Sequence, residues 1–477
     1  MTGADRRPPT APSHEAHAPP GAQPAAHPTG GDVLPLAEAT RTWFSVSLQT
    51  FGGPAGQIAV MQHKLVDEKR WIGQQRFLHA LNYCMLLPGP EAQQLAIYIG
   101  WLLNGTLGGL IAGGLFVLPG LVALLALSAI YVGFGNTAFV TSLFAGLGPA
   151  VIAIVVQAVY RVAKRALTHR ALVGLAVVSF LALALFGVPF PVVVLSAGLI
   201  GWLLSLWIPE IGHRKSQVTS DDGPAPLISD ETLHHDLPSK RRSLTVLAVG
   251  LVVWFLPVLA AAVLIPSTSV FVDQGLFFSG AALVTFGGAY AVLAYVAQQA
   301  VNVYHWLVPG EMVRGLALAE TTPGPLIMVV VFVSFVGAYH QPGALNPWAA
   351  GVLAGLLVTW VTFVPCFMFV FLGAPYVERL RNNQRLSAAM TGITAAVVGV
   401  IANLALFFAL HNLFGATREV QAGPLHTLVP VLSTWKPAEF ALTGVALAAI
   451  FWRGWSTLRT LGLCAVLGLG LGLLGLT

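Results

Sequence analysis

Along most of this chain apolar residues do not alternate with polar ones; they run. From Trp43 onward, stretch after stretch carries almost no charge over about 20 residues, the length a helix needs to cross roughly 30 Å of hydrocarbon. Runs near 43–61, 80–104, 106–130, 139–160, 171–187, 189–208, 243–266, 271–299, 315–340, 347–372, 387–412, 436–452 and 457–476 predict about thirteen transmembrane helices. Unpaired backbone in lipid costs several kcal/mol per group, so each run must be a helix or a helix pair. Two stretches resist that reading. FGGPAGQ from Phe51 and PGP at 88–90 place helix breakers inside apolar runs.

Composition agrees with the runs. The chain is 56% hydrophobic and 9% charged, with a mean hydropathy of +0.77, whereas soluble domains carry about 25% charged residues. The expected fold class is therefore an all-α polytopic membrane protein. Residues 1–36, rich in Pro, Ala, His and Gly and lacking an apolar leader core, read as a disordered cytoplasmic tail. A polar segment at 209–242 reads as a cytoplasmic linker, and its His234 and His235 as solvated residues rather than a metal site. Cys84, Cys366 and Cys464 lie far apart within apolar runs, without metal-ligand spacing. The formal charge of +5 fits the positive-inside rule better than nucleic-acid binding.

The chain repeats itself. FGGPAGQ at 51 stands 37 residues before PGP at 88, and FGGAYAV at 286 stands 37 before PGP at 323; Trp71 and Trp306 keep the same offset of 235. Farther on, FVLPG (116–120) matches FVPCF (363–367) and GLGPAVIAIVVQ (146–157) matches GITAAVVGVIAN (392–403), now at an offset of 246. Basic RVAKRALTHR follows one span, and basic YVERLRNNQR precedes its counterpart. With both clusters in the cytoplasm, equivalent spans cross in opposite directions. The expected organisation is a first repeat at 37–208, a second at 243–412 and further spans at 413–477, the repeats having inverted topology and helices broken at FGG and PGP. Straight threading of every run strands Lys64, Lys69, Arg70 and Arg76 outside the cell. Either their loop is a surface helix, or the PGP segment re-enters and returns it to the cytoplasm.

Broken helices are tolerated at membrane depth only where the freed backbone is buried in protein or lines a watery cavity. In inverted-repeat transporters such breaks aim N–H groups and a positive helix end at an anionic substrate. The candidate substrate-binding residues are accordingly Phe51, Gly52, Gly53, Asn82, Pro88, Gly89, Pro90, Gln93 and Gln94 in the first repeat, and Phe286, Gly287, Gly288, Thr321, Thr322, Pro323, Gly324 and Pro325 in the second. Ionisable groups at this depth are functional candidates. Glu91 either satisfies its own helix N-terminus or serves as a proton or coupling-ion site; Glu320, at a C-terminal half-helix end, is the better candidate for a coupling proton. Arg76 and Arg314 are candidates for attracting a dianion. Haem, flavin, iron–sulfur and nucleotide-binding motifs are absent from the sequence, so no cofactor is expected, and a membrane oxyanion-processing enzyme is the weaker alternative to a transporter.

FGGPAGQIAVM, RFLHALNYCMLLPGPEAQQLAIYIGWLLNGT and GLFVLPG resemble the first-half signature of the chromate ion transporter family; TFGGAYAVLAYV and LALAETTPGPLIMVVVFVSFVGAY resemble its second. The resemblance spans about 43–165 and 271–410. It implies the long-chain, two-domain type, located in a bacterial inner membrane and exporting chromate to confer resistance. Chromate and the lipid bilayer are the implied partners, with sulfate as competitor or counter-substrate and a homodimer left open. The residues alone reach only a small oxyanion, since chromate and sulfate are both tetrahedral dianions.

Overall fold

A computed structural model of the chain describes residues 34–51, 53–135, 137–208, 226–228, 239–265, 269–286, 288–374 and 383–475. The expected tail lies outside them as far as residue 33, as do His234 and His235 of the linker and the site candidates Gly52 and Gly287.

The first repeat opens with short pieces: α1 (Leu36–Ser47), α2 (Gly53–Gln62) continued by a π-helical turn (His63–Glu68), and α3 (Gln74–Cys84). At 1.5 Å per residue none reaches the roughly 30 Å of a hydrocarbon core. Helix α4 (Glu91–Phe134) is two arms, because Asn104 (φ −138°, ψ 32°) and Gly105 (φ 60°, ψ −155°) turn the chain between them. The arms pack through small residues: a Cβ added to Gly100 would meet Ala112 Cβ at 2.6 Å, the close approach that Gly and Ala permit between membrane helices. Then follow α5 (Ala138–Ala166), α6 (Arg170–Phe186) and α7 (Phe190–Trp207).

The second repeat rebuilds the same sequence of pieces after α8 (Lys240–Leu264): α9 (Ser269–Leu283), α10 (Ala289–Gln298) with its π-helical turn (Gln299–Val303), α11 (Pro309–Thr321), a 3₁₀ turn (Leu326–Met328) leading into α12 (Val329–His340), α13 (Pro347–Gly373) and α14 (Gln384–Leu413). The correspondence extends to single hydrogen bonds. Lys69 N–H donates to Lys64 O at 3.0 Å and Trp71 N–H to Leu65 O at 2.8 Å; 235 residues on, Tyr304 donates to Gln299 O at 2.9 Å and Trp306 to Ala300 O at 2.8 Å. Between each pair a non-glycine residue, Arg70 (φ 49°) or His305 (φ 53°), takes the left-handed conformation. That conformation persists only where the surroundings enforce it, and here each is followed by a tryptophan buried to 2% exposure.

Among the described residues, six helices are long and apolar enough to cross a bilayer: α4, α5, α7, α8, α13 and α14. Helix α13 joins the halves, packing on α4, α8, α9 and α12, with Trp254 Nε1–H donating to Val361 O at 2.9 Å and Trp360 Nε1–H to Val253 O at 2.8 Å. Helix α14 packs against α5, α6 and α7. After it the helical pattern is interrupted by an antiparallel hairpin, β1 (Thr417–Ala422) on β2 (Leu425–Pro430), in register from Thr417↔Pro430 to Ala422↔Leu425. Helices α15 (Pro437–Phe451) and α16 (Thr457–Leu473) follow, α16 lying along α5. The chain is thus an all-α polytopic membrane protein with one small two-stranded excursion.

Two details bear on the loop of Lys64, Lys69, Arg70 and Arg76. Lys64 Nζ holds Glu68 at 2.7 Å, and this hydrogen bond keeps the exposed Glu68 carboxyl below its ordinary range. The linker also returns to the loop: Leu227 N–H donates to Arg70 O and Ile228 N–H to Trp71 O, both at 3.1 Å, while Gly73 N–H donates to Ile228 O at 3.3 Å. Ile228 is left 2% exposed.

Candidate functional site

The breaks close on one another across the repeats. Gly89 N–H donates to Thr285 O at 2.8 Å, and Gly324 N–H to Thr50 O at 2.9 Å. Thr50 and Thr285 stand 235 residues apart, as do Gly89 and Gly324, so one contact is made twice, each PGP pairing with the residue before the other repeat's FGG. Gln57 Nε2–H donates to Gly324 O at 2.5 Å and Gln94 Nε2–H to Pro88 O at 2.7 Å. Backbone released by Pro and Gly is therefore satisfied by the partner repeat at Gly89 and Gly324 and by Gln94 of the same repeat at Pro88, as burial at this depth requires. Gly89 (φ 122°) and Gly324 (φ 102°) occupy conformations open to glycine and costly for other residues.

Packing is crossed in the same way. A Cβ at Gly89 would meet Cys366 Sγ of the second repeat at 2.7 Å, and a Cβ at Gly120 of the first would meet Pro323 O at 2.7 Å. Positions 120 and 366 are equivalents at the 246 offset. The PGP motifs are thus the seam between repeats.

Beside the seam lies a cavity of about 490 Å³ lined from both halves. Gly53, Pro54 and Glu91 reach it from the first repeat's breaks, and Gly288, Ala289 and Tyr290 from the second's. One wall is α5, presenting Gln157, Arg161 and Arg165; another is α14, presenting Ser387, Thr391 and Thr394. Behind Tyr290 is Glu320, 3% exposed, whose Oε1 accepts the Tyr290 hydroxyl at 2.6 Å.

Of the residues singled out in the sequence, Gly53, Glu91 and Gly288 line this cavity and Glu320 stands behind its wall. The six PGP residues, Pro88, Gly89, Pro90, Pro323, Gly324 and Pro325, form the seam and do not line the cavity. Phe51 and Phe286 flank the breaks half-buried. Gln93 and Gln94 are fully buried in the first turn of α4, neither Gln93 amide atom finding a partner among the described residues. Thr321 and Thr322 donate their hydroxyl hydrogens to Leu318 O and Ala319 O of their own helix. Asn82 is exposed and Arg76 buried, both on α3.

Arg314 sits elsewhere. It donates to the Tyr131 hydroxyl at 3.0 Å, that hydroxyl donates to Glu311 Oε1 at 3.3 Å, and the guanidinium lies 5.7 Å from the Phe144 ring centroid. Phe144 and Arg161 are 17 residues apart on α5, about 25 Å along the helix. Arg161 and Arg165 themselves served the sequence reading only as markers of orientation. The signal that would have found them is spacing: Gln157, Arg161 and Arg165 recur every four residues and so share one face of α5.

A family profile described as Chromate transporter matches residues 37–202 and 272–470. The chain belongs to the chromate transporter family. The match runs through α15 and most of α16, beyond the extent legible from the motifs. Among curated relatives of this family member, a chromate transport protein of Pseudomonas aeruginosa is 34% identical over 360 residues, covering 74% of this chain and 76% of its own. One from Cupriavidus metallidurans is 28% identical over 421 residues, covering 84% and 89%, and a probable chromate transport protein of Synechococcus elongatus is 25% identical over 423, covering 87% and 96%. No solved structure gives a significant match.

Proposed function

We propose that the chain is a secondary transporter that exports chromate from the cytoplasm, binding the oxyanion in the cavity where the broken helices of two inverted repeats meet, and so confers chromate resistance. The observation that carries this reading is the doubled Gly–Thr contact, which seats both FGG breaks on one cavity whose mixed wall includes Gln157, Arg161, Arg165, Ser387, Thr391 and Thr394. Neutral donors and a positive half-helix end suit an anion, and family membership supplies chromate as the cargo.

The repeat and the basic clusters together support an orientation. Helix α5 ends in Lys164 and Arg165, marking its end as cytoplasmic. Helices α6 and α7 cross and return, so the linker that follows lies on the same face. The linker pairs with residues 70–73, which brings that loop to the cytoplasm too. Counting back from α5, the 106–134 arm starts on the cytoplasmic face, and Asn104 Nδ2–H donates to Leu34 O at 2.6 Å there. The pairs α1–α2 and α3–α4 (first arm) then enter and leave by one face as re-entrant hairpins, with the N-terminal tail inside. Lys64, Lys69, Arg70 and Arg76 now obey the positive-inside rule; among the described residues, Arg314, Arg418 and Lys436 are the cations on the opposite face. The second repeat places its short hairpins on that outer face.

The test is chromate uptake by inverted inner-membrane vesicles. Vesicles carrying the protein should accumulate chromate faster than vesicles without it, and equal accumulation overturns the export reading. Sulfate, of the same charge and shape, should compete; its failure to do so would mark a chromate-specific site.

A further inference from the structure

We propose that Arg161 and Arg165 are the anion-capture residues of the cavity, and that their absence from the equivalent helix of the second repeat makes the carrier hold its anion more tightly when open to the cytoplasm than when open outward. This rests on the cavity being the oxyanion site.

Among the described residues, the cavity lining contains three charged side chains, Glu91, Arg161 and Arg165. Arg161 and Arg165 take part in none of the ion pairs seen among the described residues, such as His63–Asp67, Lys64–Glu68 and Lys69–Glu38. A dianion leaving water for a partly enclosed site needs counter-charge as well as hydrogen bonds. Arg supplies both, with several donors in a plane that matches an oxyanion. The two guanidiniums are one turn apart, Arg165 next to the end of α5 at Ala166 and Arg161 one turn deeper, with the Gln157 amide below. On α14, Ser387, Thr391 and Thr394 follow at helical spacing from its cytoplasmic end. An anion entering from the cytoplasm thus meets guanidiniums and neutral donors together, then the breaks.

Helices α5 and α14 are equivalents: Ala138–Ala166 and Gln384–Leu413 coincide at the 246 offset. If the outward-open state exchanges their roles, the outer path offers the α14 counterparts of Gln157, Arg161 and Arg165. These are Asn403, Phe407 and His411. The amide is kept and both guanidiniums are lost. His411 Nδ1 is engaged with Phe407 O at 2.8 Å and its ring lies 4.3 Å from the Phe407 ring. Strong capture inside with weak hold outside is the asymmetry an exporter needs, because uniform tight binding would slow release.

The experiment measures initial chromate uptake against chromate concentration in inverted vesicles carrying the full chain. Wild-type uptake above that of empty vesicles is the precondition, and its absence overturns the proposed function rather than this inference. Arg161→Gln should raise the half-saturating concentration roughly tenfold, the low end for losing a hydrogen bond to a charged group in a hydrated site. Arg161→Lys, which keeps charge and folding demands, should stay within about threefold of wild type, since Lys can still act as a point charge. Arg165→Gln should raise it several-fold at low salt and little at high salt, as expected of a charge at the mouth. Lys164→Gln, on the same helix outside the cavity, should change nothing. In right-side-out vesicles Phe407→Arg should strengthen half-saturation by external chromate. The inference is overturned if Arg161→Gln and Arg165→Gln both leave half-saturation within twofold of wild type, or if Lys164→Gln weakens it as much as Arg161→Gln.

Discussion

Glycine at position 89 makes a demand that can be put in numbers. Replacing it with Ala adds a Cβ to backbone at φ 122°, a conformation costing other residues about 1–3 kcal/mol. The added atom would also stand 2.7 Å from Cys366 Sγ and 2.9 Å from Gln94 Nε2, contacts so short that overpacking contributes about 1–3 kcal/mol more. Gly324→Ala meets nothing closer than Gly120 Cα at 3.4 Å and incurs chiefly the backbone cost. Gly89→Ala is therefore expected to destabilise by about 2–6 kcal/mol and Gly324→Ala by about 1–3. Because part of the excess at position 89 lies in the Cys366 sulfur across the repeat seam, Cys366→Ala should recover about 1–2 kcal/mol of it in the double variant, a coupling absent for distant sites. Thermal unfolding of the purified protein in detergent, with chromate uptake measured in parallel, checks all three values. Equal destabilisation at positions 89 and 324, with no rescue by Cys366→Ala, would refute the crossed seam.

Three other outcomes are expected. If Glu320 carries the coupling proton, Glu320→Gln should abolish the pH dependence of transport while chromate still binds, and Glu91→Gln should retain it; an unchanged pH profile in Glu320→Gln rules that role out. Gln93 buries an amide with no partner among the described residues, which costs about 1–3 kcal/mol, so Gln93→Met should raise the melting temperature, and a lowered one would show that the amide is bonded. Truncating Ile228 to Ala removes the side chain anchoring the linker, and hydrogen exchange at Trp71 and Gly73 should accelerate; unchanged protection there would show that the linker contact adds nothing.

The repeat was legible in the sequence because Pro and Gly leave few conformational choices. PGP cannot continue a helix, and the structure starts α4 at Glu91 and ends α11 at Thr321, flanking the motifs as the residues required. The pairing of Gly89 with Thr285 and of Gly324 with Thr50 was not legible, since contacts between residues some 200–270 apart leave no local period. Charge was legible only in part: the basic cluster after Gln157 oriented the chain, yet its spacing also puts two arginines in the cavity wall. The side of the 62–79 loop stayed open because it depends on Ile228, a linker residue whose partner no local pattern announces. The hairpin at 417–430 fell between two apolar runs, where polar residues at short spacing gave no sign of a strand.

The most direct test is the position of bound chromate, read from the anomalous scattering of chromium in crystals of the intact protein grown with chromate. The account predicts the peak in the cavity between Gly53, Gly288 and Arg161. A peak beside Arg314 and Tyr131, some 25 Å along α5, with none in the cavity, would contradict it.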